Sequence, residues 1–562
     1  MNQEDRETGQ SNHLWGKLVA DALFQFGIRK VFFSPGSRST PLLIGFEEHA
    51  QIDCVPVLDE RSAGFIALGY SKRINKPTAL LCTSGSAPTN WFPAVVEASH
   101  ASVPLFLLSA DRPPELQGCA SGQTINQENL FGDFVRSFNQ APLPSHDLDG
   151  ITKLKMILSS AFEKSMGLNS GPVHLNFPFR EPLFLQNSDT DPVIAEFPEP
   201  KLSQDPLFAS DELIALSSLT KKSKRPILIA GETVPFEPLL CLSQRYPIPI
   251  LCDAVSDSRN QLKVNAILRY ENILRNQPTC ELLKPDMVIC LGQLPTSKSL
   301  RNWLDKIDVK RVVVEPRGIN VDPLQKKGIP FNIDFDSIGK LKFAEVEDSW
   351  LMQWESIEQS VELKMEQYFS NDKSLSEPKL VRILSSHLPN DALLHVANSM
   401  PIRDCEWFWK RTSSDCKLFS NRGVNGIDGT LGTAIGIAHE SGKPTFLLTG
   451  ELAFLHDSNA LLFSNYFIGS LTILLINNQG GGIFEHLPIS KYHSFEKCFL
   501  TPQSCNFESL ASAHGISYFP ATSWNDIIKE IEHPIASGIR IIEIQTDRKE
   551  NRDLRNHLLS LT

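Results

Sequence analysis

The sequence has no CxxC pair among its 11 cysteines and no apolar run approaching the ~20 residues that span a bilayer. It also lacks an excess of positive charge. The cysteines stand singly from Cys54 to Cys505, which excludes a disulfide framework and predicts reduced thiols, most of them core fillers. A formal net charge of −11 excludes a global footprint for nucleic acid. No GxGxxG follows an apolar run, "HESGKP" lacks the Walker spacing, and neither HExxH nor GxSxG occurs. The opening MNQEDRETGQSN is polar and unlike a signal peptide. These absences predict a soluble, cytoplasmic chain with no membrane and no nucleic-acid partner. An anionic ligand would have to meet local clusters of Arg and Lys, which screening over about 8 Å allows.

What is present is an alternation. The 562 residues, 41% hydrophobic and 21% charged, suggest three or four globular domains. Trp15, Leu18, Val19, Ala22, Leu23 and Phe26 have the spacing of one helix face. Short apolar runs then end in turn residues: "KVFFSPGS", "TALLCTSGS", "PLFLLSADRPP" and "GPVHLNFPF". A second set comprises "RPILIAGE", "PIPILCDA", "DMVICLGQ" and "RVVVEP". A third comprises "ALLHVANS", "PTFLLTGE", "LTILLINNQGGG" and "RIIEIQTD". Strands alternating with helix-length stretches imply βαβ units and parallel sheets. The expected architecture is α/β, with three doubly wound parallel-sheet domains. They are an N-terminal domain over 1–185, a Pro-rich acidic linker over 186–208, a central domain over 209–345, a helical connection over 346–389 and a C-terminal domain over 390–562. Trp350, Trp354, Ile357, Val361, Met365 and Tyr368 form the stripe of that connection. No repeat is visible between residues.

"LLTGELAF" places one carboxylate, Glu451, directly behind an apolar run, and Asn478 follows the next run 27 positions later. That interval accommodates one crossover, so both residues would emerge where open α/β sheets bind ligands. A carboxylate, an amide oxygen and a carbonyl freed by the glycines of "NNQGGG" form a hard-oxygen set suited to Mg²⁺ on a diphosphate. The competing reading is an ordinary loop beside a solvated helix start.

A Gly–acid pair followed by "NN" at this interval resembles the thiamine-diphosphate-binding motif. The resemblance implies that Gly450 and Glu451 begin the motif and that Glu451, Asn478 and Gly480 hold Mg²⁺ or Mn²⁺. Glu451 stands where Asp is usual. In "VLDERSAGFIALGYSK", Glu60 matches the glutamate that protonates the cofactor's aminopyrimidine, and Ile427 matches the apolar prop beneath its bent form. The alternative for Glu60 is an acid that complements a helix dipole. Gly429, Gly432 and Gly436 open a helix beside the expected cofactor, which is also what close helix packing would need.

"SPGSRSTPL", "DERSAGF", "CTSGSAPTN", "SADRPPEL", "NRGVNGIDGTLGT" and "NNQGGGIFEHLP" are together similar to the 2-succinyl-5-enolpyruvyl-6-hydroxy-3-cyclohexene-1-carboxylate synthase family of menaquinone and phylloquinone biosynthesis. This resemblance implies decarboxylation of 2-oxoglutarate and addition of the succinyl carbanion to isochorismate. Ser37, Arg38, Arg112, Gln123 and Lys298 would face isochorismate. Asn398, Ser399, Arg403 and Arg422 would hold the 2-oxoglutarate part, with Arg38, Arg403 and Arg422 serving catalysis beside Glu60. Ile483, Phe484 and Leu487 would line the pocket, the first two also against the cofactor and the last two against substrate. Ser299 and Gly122 depart from the family pattern on the isochorismate side. The family plan implies a homodimer or homotetramer with active sites at the subunit interface. An acetolactate-synthase-like thiamine enzyme and a non-catalytic protein that kept the fold are the alternatives.

Overall fold

The computed structural model describes residues 2–185, 197–198, 209–324, 327–411 and 415–562. The linker read over 186–208 lies outside the described residues, apart from Phe197 and Pro198.

Among the described residues, strands form three six-stranded sheets. The first contains β1 (Lys30–Phe33), β2 (Asp53–Pro56), β3 (Thr78–Cys82), β4 (Leu105–Asp111), β5 (Phe138–Gln140) and β6 (Val173–Pro178). Its order is β2-β1-β3-β4-β6-β5 and its pairs are parallel. The second contains β7 (Pro226–Ala230), β8 (Ile250–Cys252), β9 (Ala266–Ile267), β10 (Met287–Leu291), β11 (Lys310–Val314) and β12 (Ile329–Phe331), in the order β12-β11-β10-β7-β8-β9. The third contains β13 (Leu393–Val396), β14 (Lys417–Phe419), β15 (Pro444–Gly450), β16 (Ser470–Asn477), β17 (Ser517–Ala521) and β18 (Gly538–Gln545). Its order, β14-β13-β15-β16-β18-β17, repeats that of the first sheet strand for strand. The α/β class with parallel sheets is thus what the alternation predicted.

Both faces of these sheets are apolar because crossover helices cover them. In β7, Ile227 and Ile229 join one core cluster while Leu228 and Ala230 join another. The helix Gln3–Gln25 buries Trp15, Leu18, Val19, Ala22 and Leu23 as its spacing requires, and Phe26 is buried at its cap. Between the second and third sheets run the helices Asp348–Asn371 and Glu377–His387. Trp350, Trp354, Val361 and Met365 are buried there, whereas Tyr368 is exposed and Phe369 takes the inward place. The turn of 3.6 residues carries position 369, four beyond Met365, to the buried side.

By compactness the chain divides into two units. One holds the first sheet with Asn421–Gly442 and Ala453–Leu471. The other holds the second sheet and nearly all of the third. Among the described residues no helix is long and apolar enough to cross a membrane. All 11 cysteines are free.

Candidate active site

In both the first and third sheets the strand order reverses beside the first strand, between β1 and β3 and between β13 and β15. Such switch points open a crevice at the carboxyl ends of the strands. At the third sheet, β15 stops at Gly450 and Glu451 opens the helix Glu451–His456. The neighbouring β16 stops at Asn477, so Glu451 and Asn478 share one edge.

Glu451 is only 2% exposed, and burial pushes its carboxyl up to about 7 despite hydrogen bonds from the N–H groups of Gly480 and Asn478. The Gly480 N–H donates to Glu451 Oε1 at 2.5 Å. Gly480 has φ +138, and a Cβ there would stand 2.7 Å from the Leu500 carbonyl oxygen, so the turn requires glycine. Its carbonyl accepts from Gly482 N–H at 2.9 Å and keeps a second lone pair. Asn478 Nδ2 donates to Glu377 Oε1 at 2.8 Å. Asn478 Oδ1 is buried and has no hydrogen-bond partner among the described residues. A buried amide oxygen left unpaired is costly and calls for an explanation. A hard divalent cation held by Glu451, Asn478 Oδ1 and the Gly480 carbonyl fits this donor set. The short 3₁₀ turn Gly482–His486 places Ile483 and Phe484 directly after it, with the Phe484 ring 5.8 Å from that of Phe499. Leu487 follows, 44% exposed.

Asn398 and Ser399 follow β13 on the same sheet. Asn398 is buried and Ser399 has φ 74. Arg403, in the helix Met400–Phe408, donates from Nη1 to the Ser399 carbonyl at 2.5 Å. These three are therefore together. Lys298 belongs to the second sheet, exposed as the first residue of the helix Lys298–Lys306. Ser299 beside it donates to Glu271 Oε1 at 2.8 Å.

At the first sheet, the 3₁₀ turn Ser37–Ser39 follows β1, with Ser37 exposed and Arg38 buried. Arg38 donates to the Phe179 carbonyl and to Glu181 Oε1, each at 2.9 Å. Its Nε is buried without a hydrogen-bond partner among the described residues. Burial lowers its pKa, the nearby positive Arg112 lowers it further, and Glu181 opposes both. Two guanidiniums close enough to repel have a charge and geometry that suit an anion. Arg112, just past β4, donates to the Gly122 carbonyl at 3.1 Å. Gln123 has φ 56 and exchanges hydrogen bonds with Ser84: its carbonyl accepts at 2.9 Å and its Nε2 donates at 3.3 Å. A cavity of about 690 Å³ opens beside Arg112, bounded also by Asp111, Ser121, Thr124, Gln127 and Gln140. Beneath it lies a buried polar network of Ser109, His174, Asn176, Gln127 and Asp111.

Glu60 opens the helix Glu60–Ile74, whose cap is Asp59 accepting from the Arg61 N–H at 2.9 Å. An acid at a helix start is ordinarily held low by the dipole. Here burial outweighs the N–H hydrogen bonding at that start, Asp59 adds its repulsion, and the Glu60 carboxyl is raised. That direction suits a group that exchanges a proton near neutrality. In the same compact unit lies the segment bearing Arg422 and Ile427. Its Gly423 and Val424 N–H groups each donate at 2.8 Å to the buried carboxylate of Glu97. Glu97 escapes motif reading; its one signal is a charge within the apolar "FPAVVEASHA". The glycines of the helix Thr430–Ala438 serve close packing: a Cβ on Gly436 would lie 1.9 Å from the Ile66 carbonyl oxygen.

The first of the two compact units therefore carries Ser37, Arg38, Glu60, Arg112, Gln123, Arg422 and Ile427. The second carries Lys298, Asn398, Ser399, Arg403, Gly450, Glu451, Asn478, Gly480, Ile483, Phe484 and Leu487.

Comparison with known proteins agrees with this chemistry. Residues 15–133 match a family described as the thiamine pyrophosphate enzyme N-terminal TPP-binding domain, and residues 215–396 match the middle domain of thiamine pyrophosphate enzymes. The 2-succinyl-5-enolpyruvyl-6-hydroxy-3-cyclohexene-1-carboxylate synthase of Trichodesmium erythraeum is 40% identical over 96% of this chain and 96% of its own. Its namesake from Microcystis aeruginosa is 39% identical over 96% of this chain and 97% of its own. That from a Nostoc species is 39% identical over 98% and 97%. Identity at this level, sustained from end to end, means that the chain belongs to the 2-succinyl-5-enolpyruvyl-6-hydroxy-3-cyclohexene-1-carboxylate synthase family of thiamine-diphosphate enzymes.

Proposed function

We propose that this thiamine-diphosphate-dependent transferase joins the succinyl part of 2-oxoglutarate to isochorismate with loss of CO₂, on the route to menaquinone or phylloquinone. Bound thiamine diphosphate supplies the electron sink for the pair left when the carboxylate departs. Glu451, Asn478 Oδ1 and the Gly480 carbonyl would hold Mg²⁺, or Mn²⁺ on the same ligands, for the cofactor's diphosphate. Gly450 leaves room at that edge, since a Cβ there would meet nothing within 4 Å. Glu60 would exchange a proton with the aminopyrimidine, and Ile427, Ile483 and Phe484 would support the cofactor.

Arg403 and Arg422, with Asn398 and Ser399, take the carboxylates of 2-oxoglutarate. Ser37, Arg38, Arg112, Gln123 and Lys298 take those of isochorismate, and Phe484 and Leu487 exclude water. The active unit is a homodimer or homotetramer. Val424 and Ile427, which expose 42% and 36% of their surface on the Arg422 segment, support that state. Eleven free thiols support a cytoplasmic location.

The observation that carries the reading is the unpaired Asn478 Oδ1 beside Glu451, in a chain of this family. Identification of the product formed from isochorismate and 2-oxoglutarate tests it. The expected product is the succinylated cyclohexene carboxylate with CO₂ in equal amount. Preference for pyruvate, or product formation without isochorismate, would overturn it.

A further inference from the structure

Glu377 opens the helix Glu377–His387 and is only 2% exposed. Its Oε1 accepts from Asn478 Nδ2 at 2.8 Å and from Thr546 Oγ1 at 3.3 Å. Its Oε2 accepts from Arg555 Nη2 at 2.5 Å. Its own N–H donates to Asn551 Oδ1 at 2.8 Å. Arg555, 1% exposed in the helix Arg548–Leu559, also forks onto the buried Asp404: Nε reaches Oδ1 at 2.7 Å and Nη2 reaches Oδ2 at 2.6 Å. Paired N–H···O contacts of this kind fix the plane of the guanidinium and with it the Glu377 carboxylate.

A carboxylate so placed can only accept, whereas an asparagine amide can present either its oxygen or its nitrogen. Against Glu377 only the Asn478 nitrogen is admissible, so Oδ1 is forced to the opposite side. That oxygen is the atom with no partner among the described residues. Asn477 is also turned by a carboxylate, with Nδ2 donating to Glu543 Oε1 at 2.7 Å. Its Oδ1, however, already accepts from the Gln479 N–H at 3.3 Å. Of the two adjacent amides, only Asn478 has an oxygen with no hydrogen-bond partner among the described residues.

We infer that Glu377 is a positioning residue that selects the atom Asn478 presents to the divalent cation, and that Arg555 and Asp404 hold Glu377 in that role. The inference rests on the reading of Asn478 as a metal ligand. Glu377 stands outside the motif that marks Glu451 and Asn478, 101 residues before the amide it orients.

The test is a Mn²⁺ titration of the full-length protein at saturating thiamine diphosphate, following the electron paramagnetic resonance signal of free Mn²⁺. Failure of the unaltered protein to bind would strike the metal reading itself; the variants test the inference. In Glu377→Gln the new amide can satisfy Arg555 with its oxygen and offer N–H to Asn478. Asn478 then turns its own N–H toward the cation. Mn²⁺ affinity should fall roughly 10- to 100-fold, the usual cost of losing a partner that orients a ligand. Asn478→Asp sets carboxylate against carboxylate and should bind more weakly than the unaltered protein, although it adds a negative charge to the ligand set. Glu377→Gln combined with Asn478→Asp exchanges donor and acceptor and should recover most of the lost affinity. A Glu377→Gln protein that binds Mn²⁺ normally would overturn the inference, as would a double variant no tighter than the singles. If Glu377→Gln does not fold, Asn478→Asp decides alone: unchanged or tighter binding refutes the role of Glu377.

Discussion

The first and third sheets share one strand order, yet their carboxyl edges carry opposite chemistry. The edge after β15 and β16 gathers a buried carboxylate, a carbonyl and an amide oxygen without a partner, an arrangement for a cation. The edge after β1 and β4 gathers two guanidiniums and a buried Arg38 Nε without a partner, an arrangement for an anion. Topology brings loops to the same end of each sheet, and the residue types on those loops set the sign of what they bind. The difference also shows how each edge is held. Asn478 and Arg38 are both turned by a glutamate from elsewhere in the chain, Glu377 and Glu181. Glu377 is buried and fixed by Arg555, whereas Glu181 is exposed.

The largest effect should come from Glu60, which follows β2 at the carboxyl end of the first sheet but belongs to neither the cation nor the anion cluster. Glu60→Gln is expected to lower kcat by about 10²- to 10⁴-fold, the range for a lost acid–base group, with cofactor affinity unchanged. Loss of hydrogen–deuterium exchange at the thiazolium ring, followed by NMR, checks it; normal exchange would remove Glu60 from its role. At the cation edge, Glu451→Gln should abolish the thermal stabilisation by thiamine diphosphate with Mg²⁺. For the unaltered protein that stabilisation is about 2.7 kcal/mol at 100-fold excess over Kd. An undiminished Tm shift would break the comparison at its acidic end.

At the anion edge, Arg112→Gln should raise KM for isochorismate roughly 10- to 150-fold, the equivalent of 1.5–3 kcal/mol for a hydrogen bond to a charged group. Mn²⁺ affinity should not move. A rise in KM for 2-oxoglutarate instead would exchange the two substrate assignments.

The smallest effect concerns His174 beneath the anion edge, whose pKa burial depresses to about 3. Between pH 6.5 and 3 the unfolded chain takes up a proton that folded His174 refuses, so stability falls as pH drops through that window. His174→Gln should flatten the fall by up to about 1.4 kcal/mol per pH unit. Tm measured at pH 7 and pH 5 for both proteins shows it. Equal slopes would mean that His174 accepts the proton in the fold.

Each apolar run quoted from the sequence is an interior strand of its sheet. β5, β9, β12, β14 and β17 are all edge strands and were not among those runs. Edge strands are short and face solvent on one side, so they carry no continuous apolar signal. Glu451 and Asn478 were legible because strand ends mark a binding edge whatever lies around them. Glu97 and Glu377 were not, because their partners lie far along the chain: Gly423 is 326 positions after Glu97, and Asn478 and Arg555 are 101 and 178 positions after Glu377.

Periodicity and composition by themselves established the parallel α/β class, the residues at the strand ends and the kind of chemistry they offer. Those properties follow from local patterns of burial and from functional groups that a residue carries wherever it lies. Which atom of the Asn478 amide is left without a partner, and which way burial moves the carboxyls of Glu60 and Glu451, was decided by tertiary structure alone. Hydrogen-bond selection and desolvation depend on neighbours that only folding brings within 3 Å.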